Sequence, residues 1–303
     1  MAKSNLIRRG ISAPPSRVAF KSRQNIPVGL EALDLTQLRQ RGTTRHLAKV
    51  QRLEALLFVL YTAGESEHVA DFESYPVKEN TLIVLKVGTV HQFHLNDSLQ
   101  GEILIVDRSF MLPDKLAWLR PLLAGAPWPI CSQLSSRCAN ELKQILNEIK
   151  NDIGRSANKE LISALLRQRL YTWLILLRME WDTNPSQQYA DPKAVHLVNE
   201  FEFLLEQHFL KHWTVRDYAE KLGYAERTLS RACADFGGQS AKLMIDRRLL
   251  TEAKRMLAYQ ENGVEDIGIH LGFEAASHFI RFFKRTNGTT PSEFRQRERA
   301  GRF

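Results

Sequence analysis

The sequence contains no run of about 18 apolar residues, so we expect no transmembrane helix and no membrane partner. No apolar segment follows Arg8 and Arg9, which argues against a secretory signal peptide. The three cysteines, Cys131, Cys138 and Cys233, lack the spacing of a metal site. We interpret them as reduced thiols of a cytoplasmic protein, with a Cys131–Cys138 disulfide as the alternative.

The composition is that of a soluble protein with two domains. The chain has 303 residues, of which 44% are hydrophobic and 25% charged. Its net charge of +8 is unevenly spread: residues 1–60 hold 11 lysines and arginines against 3 acids, whereas residues 193–303 hold 18 against 15. We predict a flexible basic tail at 1–17, either a solvated arm or one that binds DNA or a partner.

A stretch at 263–286 predicts a helix, a glycine turn and a second helix. Val264, Ile267 and Leu271 recur at helical spacing, and Gly272 follows where a helix end favours a left-handed residue. The second helix, from about 275 to 285, has phenylalanines on one face and polar residues on the other. This pattern indicates a helix-turn-helix, whose second helix enters the major groove of DNA.

An earlier stretch, at 214–236, repeats the pattern. Its Leu222-Gly223-Tyr224 aligns with the later Leu271-Gly272-Phe273. Between the two stretches, residues 240–259 predict one helix of about 30 Å, close to the roughly 34 Å between successive major grooves on one face of DNA. We therefore predict a reader of duplex DNA with two recognition helices held apart by a spacer helix.

These residues resemble the AraC/XylS family of bacterial transcription regulators, strongly over 196–297 and weakly upstream. The likeness implies an all-α double helix-turn-helix domain at 193–303 that binds double-stranded promoter DNA, usually as an activator working with RNA polymerase. The first unit departs from the family pattern at Ala225, where a serine cap is usual. The second unit carries the family motif in Gly272, Phe273, Ser277, Phe279, Arg281, Phe283, Lys284, Gly288, Pro291 and Arg295.

Helical spacing and alignment select the DNA-contacting residues. The arginines can either grip guanine O6 and N7 or hold phosphates, and both roles stay open for Arg227, Arg231 and Arg281. Lys284 and Arg285 are predicted backbone contacts, and a solvated helix face is the alternative for every position. The full set is Arg227, Thr228, Ser230 and Arg231 in the first unit, and Ala276, Ser277, His278, Arg281, Lys284 and Arg285 in the second.

The first half of the chain predicts strands. Short apolar runs at 54–61, 81–86, 90–94 and 101–106 are separated by turn residues, which indicates an all-β barrel or sandwich. The amino-acid sequence of residues 56–77 and 84–93 resembles that of the cupin-type barrel found at the amino end of many AraC/XylS regulators. The resemblance implies an α+β chain with a cupin-like effector-binding and dimerisation domain at 18–182.

A cupin metal site would need more histidines than the sequence supplies. His91 fits the second cupin motif, but His46 is followed by Leu47 and Ala48 where another histidine is needed. We therefore predict no metal, no cofactor and no enzyme activity. The candidate contacts for a small-molecule effector are His46, Tyr61, His91 and Phe93.

Two amphipathic helices are predicted at 136–154 and 159–181. The second is apolar on more than one face, so it should be buried on more than one side. Packing within one chain is one alternative; the family resemblance implies the other, a homodimer formed through Leu166, Leu170, Trp173 and Leu177. The polar segment 183–192, with two prolines, is predicted to be the linker between domains.

The sequence thus predicts a cytoplasmic, sequence-specific transcription regulator that responds to a small molecule. Two other interpretations stay open at this point. One is a cupin-type metalloenzyme carrying a DNA-binding module, and the other is an architectural DNA binder that needs no ligand.

Overall fold

The computed structural model describes residues 16–18, 29–41, 50–107, 110, 129–155, 158–182 and 192–300. These residues belong to two compact units, one spanning Ser16–Arg248 and the other running from Leu249 onward. The two units part within a helix rather than at the predicted linker. That linker, apart from Pro192, and the basic tail, apart from 16–17, lie outside the described residues, so the domain boundary at 183–192 stays a prediction.

Ten strands in the first unit form two five-stranded sheets rather than a closed barrel. One sheet has the order β1-β3-β8-β5-β6 and the other β10-β7-β4-β9-β2. Every pairing between the strands is antiparallel except that of β1 with β3. The strands are β1 Ser16–Val18, β2 Leu30–Asp34, β3 Gln51–Leu53, β4 Leu56–Ala63, β5 Ser66–Ala70, β6 Glu73–Val77, β7 Thr81–Leu85, β8 Val90–Phe93, β9 Gln100–Val106 and β10 Cys131–Gln133.

The second of these sheets is buried on both faces, which explains its unbroken apolar sequence. Along β4, Leu57, Val59 and Tyr61 belong to the core between the sheets. The alternate residues, such as Phe58 and Leu60, belong to a core shared with two helices, α2 Ser136–Ile153 and α3 Lys159–Asp182. A strand covered on both faces has no solvent side, so it needs no polar alternation.

The helical pair is held to the sheet by packing and by charge. Trp173 of α3 is fully buried and meets Phe58 edge to face, with 5.0 Å between the ring centroids. Lys150 of α2 forms an ion pair with the buried Glu102 of β9 at 2.5 Å. Arg169 of α3 binds both Glu148 and Asp152 of α2. The predicted helices and the four predicted strands are thereby confirmed; a short helix, α1 Leu35–Arg41, was not predicted.

The first helix-turn-helix lies in the same unit. It consists of α5 Val215–Leu222 and α6 Glu226–Gly237, supported by α4 Pro192–His208 and the start of α7 Ala241–Tyr259. Thr214 and Asp217 form a capping box at the start of α5. Gly223 ends that helix at φ +75°, in the left-handed region that the sequence pattern predicts.

The second helix-turn-helix belongs to the other unit and has the same plan. Its helices are α8 Val264–His270 and α9 Ala276–Asn287, followed by α10 Pro291–Ala300. Gly272 adopts φ +87° in the turn. A β-carbon on Gly268 would lie 3.0 Å from the Cβ of Phe279, so glycine lets α8 and α9 pack closely.

Across the described residues, no helix combines the length and the apolarity that crossing a membrane requires.

The missing cap at Ala225 gives the first testable prediction. Ala225 has the extended backbone of an N-cap (φ −71°, ψ 145°), yet no side chain accepts a hydrogen bond from the first turn of α6. We expect Ala225→Ser to raise the free energy of unfolding by about 0.5–1 kcal/mol, measured by urea denaturation. The control is Ala234→Ser within α6, which adds a hydroxyl without a capping position and should not stabilise. An equal gain in both variants would contradict this account.

Candidate nucleic-acid interface

The second helix of the first unit, α6, presents a polar face to solvent. Leu229 and Cys233 are buried against α4 and α5, and the opposite side is exposed. Arg227, Thr228 and Arg231 are exposed and Ser230 is partly exposed. The structure thus brings these four predicted residues to one surface, the α6 face.

The corresponding helix of the second unit, α9, is anchored by phenylalanines. Phe279 and Phe283 are fully buried, and Phe283 contacts Phe294 of α10 with 5.5 Å between ring centroids. Ser277, His278, Arg281, Lys284 and Arg285 are all exposed, and we call this surface the α9 face. Ala276, also predicted to contact DNA, is only partly exposed.

The two faces differ in charge. On α6, Arg231 pairs with Asp235 at 3.4 Å and Glu226 stands beside Arg227, so acids offset the arginines. The sequence of α9 contains no aspartate or glutamate, and the nearby acid that acts on Lys284 is Glu293 of α10. The α9 face therefore carries the stronger attraction for phosphate.

Sequence reasoning missed one exposed apolar residue on α9. Ile280 is 38% exposed and lies one turn from Ser277 and Lys284, on the α9 face. An apolar side chain in this position can contact the methyl group of thymine. The sequence could have indicated this exposure, because Ile280 does not share the helical spacing of the buried Phe279 and Phe283.

The candidate effector residues of the first half of the chain are partly brought together. Tyr61, His91 and Phe93 are buried side by side, whereas His46 lies outside the described residues. The structure adds His68, which the sequence analysis did not select. The Tyr61 hydroxyl is 2.8 Å from His68 Nδ1, and His68 Nε2 is 3.2 Å from His91 Nδ1.

Burial keeps this histidine cluster uncharged. The two imidazole rings stack with 5.3 Å between centroids, and the ring of Phe93 packs edge-on against both. Desolvation lowers the pKa of His91 to about 3 and, together with the neighbouring His91, lowers the pKa of His68. Burial likewise raises the pKa of Tyr61. All three side chains are neutral at physiological pH.

The described residues contain no group of three or more side chains suited to hold a metal ion. The ring nitrogens of His68 and His91 are hydrogen-bonded to each other.

The four residues predicted for dimerisation need a correction. Leu166, Leu170, Trp173 and Leu177 have no exposed surface, because they form the core between α3, α2 and the sheet. The large apolar residues that α3 does expose are Leu161, Ile175 and Met179. The sequence showed two apolar faces on α3, and the wrong one was assigned to the partner subunit.

Known proteins with helix-turn-helix domains resemble this chain in sequence. Residues 218–297 match a helix-turn-helix domain family. The chain is 22% identical over 244 residues to the HTH-type transcriptional activator RhaS of Escherichia fergusonii, covering 78% of this chain and 84% of that protein. It is 23% identical over 247 residues to the HTH-type transcriptional activator RhaR of Klebsiella pneumoniae subsp. pneumoniae, covering 80% and 85%.

Solved structures that match this chain in backbone fold include ToxT from Vibrio cholerae bound to an unsaturated fatty acid. That match has 15% identity and a TM-score of 0.40, and covers 80% of this chain and 87% of ToxT. An AraC-type regulator structure from Chromobacterium violaceum matches with 21% identity and a TM-score of 0.32, covering 36% of this chain and 96% of that one.

The fold and the two exposed recognition helices define a DNA-binding transcription regulator. The matched domain family, over residues 218–297, and the two relatives agree with the resemblance seen in the sequence: the chain is similar to AraC-type transcription regulators.

The neutral histidines predict that stability falls in mild acid. The unfolded chain protonates His91 near its ordinary pKa of about 6.5, whereas the folded protein does so only near 3. The unfolded state therefore binds more protons between these values, so stability is full above about pH 6.5 and declines as the pH falls. We expect wild type to lose roughly 1.5 kcal/mol more than His91→Asn between pH 6.5 and 5.0 in urea unfolding.

The control for this measurement is His270→Asn, the same change at an exposed histidine of α8, which should unfold with the wild-type pH dependence. Identical slopes for wild type and His91→Asn would contradict a neutral buried His91.

Proposed function

We propose that the protein is a small-molecule-responsive transcription activator that binds promoter DNA as a homodimer in the cytoplasm. The α6 and α9 faces contact the DNA, and the two-sheet domain holds the effector. Activation is supported by the relatives, both of which are named transcriptional activators. In this role the protein would work together with RNA polymerase.

The observation that carries the DNA-binding proposal is the basic α9 face, on a helix that contains no acidic residue. Arg281, Lys284 and Arg285 project from a helix whose other side is fixed by buried phenylalanines, so the cations are presented on a rigid element. Ser277 and His278 lie in its first turn, where a recognition helix contacts base edges. On the α6 face, Arg227 and Arg231 have the matching role.

Replacing Arg281 tests this proposal. Arg281→Ala should weaken binding to promoter DNA about 5- to 100-fold in the full-length protein, because it removes one base or phosphate contact. Binding is measured by fluorescence anisotropy over a range of salt concentrations. A phosphate contact would also reduce the slope of log affinity against log salt by about 1, whereas a base contact would relax sequence preference instead.

The matched control is Arg137→Ala, which removes the same charge from the exposed start of α2. It should bind like wild type. Equal affinity of Arg281→Ala and wild type at moderate salt would remove α9 from the interface.

The effector proposal rests on the polar cluster within an apolar core. Tyr61, His68 and His91 are the polar groups gathered there, and Phe93 packs against the two imidazoles. Ligand sites are mostly apolar with a few placed polar groups, which is the composition found here. Ligand binding would shift the population of the DNA-binding arrangement.

A second copy of the chain is the proposed partner of α3. One exposed side of this helix carries no charged residue over about 27 Å. Its positions alternate in steps of four and three, the spacing with which paired helices bury a seam. Because none of the residues along this side is charged, two copies can pair through it without burying a charge. The seam consists of Leu161, Leu165, Gln168, Thr172, Ile175 and Met179.

A charge placed in the seam should separate the dimer. Ile175 is 40% exposed, so Ile175→Glu alters the surface and not the core. We expect the dimer dissociation constant to rise at least about tenfold, measured by sedimentation equilibrium, since a carboxylate would be buried without a partner. Gln144→Glu on the exposed side of α2 is the control and should leave assembly unchanged. A dimer of wild-type strength in Ile175→Glu would exclude this seam.

A further inference from the structure

We infer that His91 Nε2 carries a proton and is the one hydrogen-bond donor the cluster leaves free, so the ligand it holds is an uncharged molecule with a carbonyl or hydroxyl oxygen. This inference rests on the proposed effector site and specifies its chemistry. Among the described residues, nothing accepts a hydrogen bond from His91 Nε2, although the atom is buried.

The cluster bridges the two sheets. Tyr61 lies on β4, and His68 and His91 lie on β5 and β8 of the opposite sheet. His91 is the cross-strand partner of the buried Gln51 on one side and of Ala70 on the other, so the side chains of His91 and Gln51 share one face of the sheet. Hydrogen bonds fix both imidazole rings, and the free Nε2 atom is therefore held in a defined direction.

Two proton arrangements satisfy the chain of hydrogen bonds, because a neutral histidine has one N–H group. In the first, the Tyr61 hydroxyl donates to His68 Nδ1, His68 Nε2–H donates to His91 Nδ1, and His91 carries its proton on Nε2. In the second, every bond is reversed: His91 Nδ1–H donates to His68 Nε2, and His68 Nδ1–H donates to the Tyr61 oxygen.

The first arrangement is favoured. It leaves one group unpaired, the His91 Nε2–H. The second leaves two, since the Tyr61 hydroxyl proton then has no acceptor among the described residues and His91 Nε2 is a bare acceptor. An unpaired buried polar group costs about 1–3 kcal/mol, so the arrangement with fewer such groups is more stable. The free end is thus a donor, and its ligand must offer an acceptor.

The described surroundings of the cluster disfavour a charged acceptor. Among the described residues of this unit, no lysine or arginine is buried. A carboxylate or phosphate at His91 would lose its hydration without gaining a cation, which is strongly unfavourable. A ketone, amide, ester or alcohol oxygen would lose little and would satisfy the donor. The adjacent Gln51 amide can supply a second hydrogen bond.

Nitrogen NMR of histidine-labelled full-length protein tests the proton arrangement directly. We expect the free protein to show His91 and His68 both protonated on Nε2. Protonation of His91 on Nδ1 would overturn the inference, whatever the ligand.

Three probes of matched size test the ligand class: cyclohexanone, cyclohexanecarboxylate and methylcyclohexane. We expect cyclohexanone to shift the His91 Nε2–H resonance and the other two to leave it unchanged. A larger shift with the carboxylate would overturn the neutral-ligand assignment. If none of the three probes shifts the His91 Nε2–H resonance, the assignment of a ligand contact is overturned. This holds whether or not a water molecule is bound near Nε2.

Two variants separate the roles of the two ring nitrogens. His91→Asn can keep the acceptor near Nδ1 but has no group at Nε2, whereas His91→Gln can place an amide N–H near Nε2. We expect His91→Asn to abolish the cyclohexanone response, read from the resonances of His68, and His91→Gln to retain part of it. An equal response in both variants would contradict a contact at Nε2.

DNA binding measured on the same samples separates this inference from the proposed function. A folded His91→Asn that still binds promoter DNA, together with the wrong tautomer, refutes only the ligand assignment. Failure of the wild-type protein to prefer any promoter sequence over random DNA refutes the regulator itself.

Discussion

The recognition helices depend on one constraint, which is that each buries a single apolar stripe. On α9 the stripe is Phe279 and Phe283, and on α6 it is Leu229 and Cys233. Once the stripe is packed, helical geometry leaves only the opposite side for DNA. The polar residues contribute little to the fold, and the buried aromatic and apolar residues determine where they point. Loss of Phe279 would therefore disturb the polar face as well as the stability of the helix, although Phe279 itself is fully buried.

In the two-sheet domain, too, buried apolar residues determine which way the other side chains point. Its second sheet is covered by the other sheet on one face and by α2 and α3 on the opposite face. The same strands therefore supply both cores. Tyr61 lies on the inner face of β4 and Phe58 lies on its outer face against Trp173 of α3. This arrangement connects the histidine cluster to the helix that carries the proposed dimer seam.

The sequence was sufficient for the helices, the four apolar strands and the glycine turns, because each has a strong local pattern. It was insufficient where contacts between distant residues decide. The β5–β6 hairpin turns through Asp71 and Phe72, both at positive φ, and phenylalanine is not a residue that predicts such a turn. His68 could not be grouped with Tyr61 before the sheets were known to face each other. The dimerisation residues were misplaced because periodicity showed that α3 has two apolar faces without showing which one the sheet covers.

The turn at Gly223 has a further consequence. A β-carbon added there would meet no atom within 4 Å, yet the backbone has φ +75°. The position thus restricts the handedness of the residue and not its size. A mirror-image alanine introduced by chemical synthesis would fit this corner without strain, whereas ordinary L-alanine would oppose it. At Gly268 the restriction is one of size instead, because an added β-carbon would lie 3.0 Å from the Cβ of Phe279.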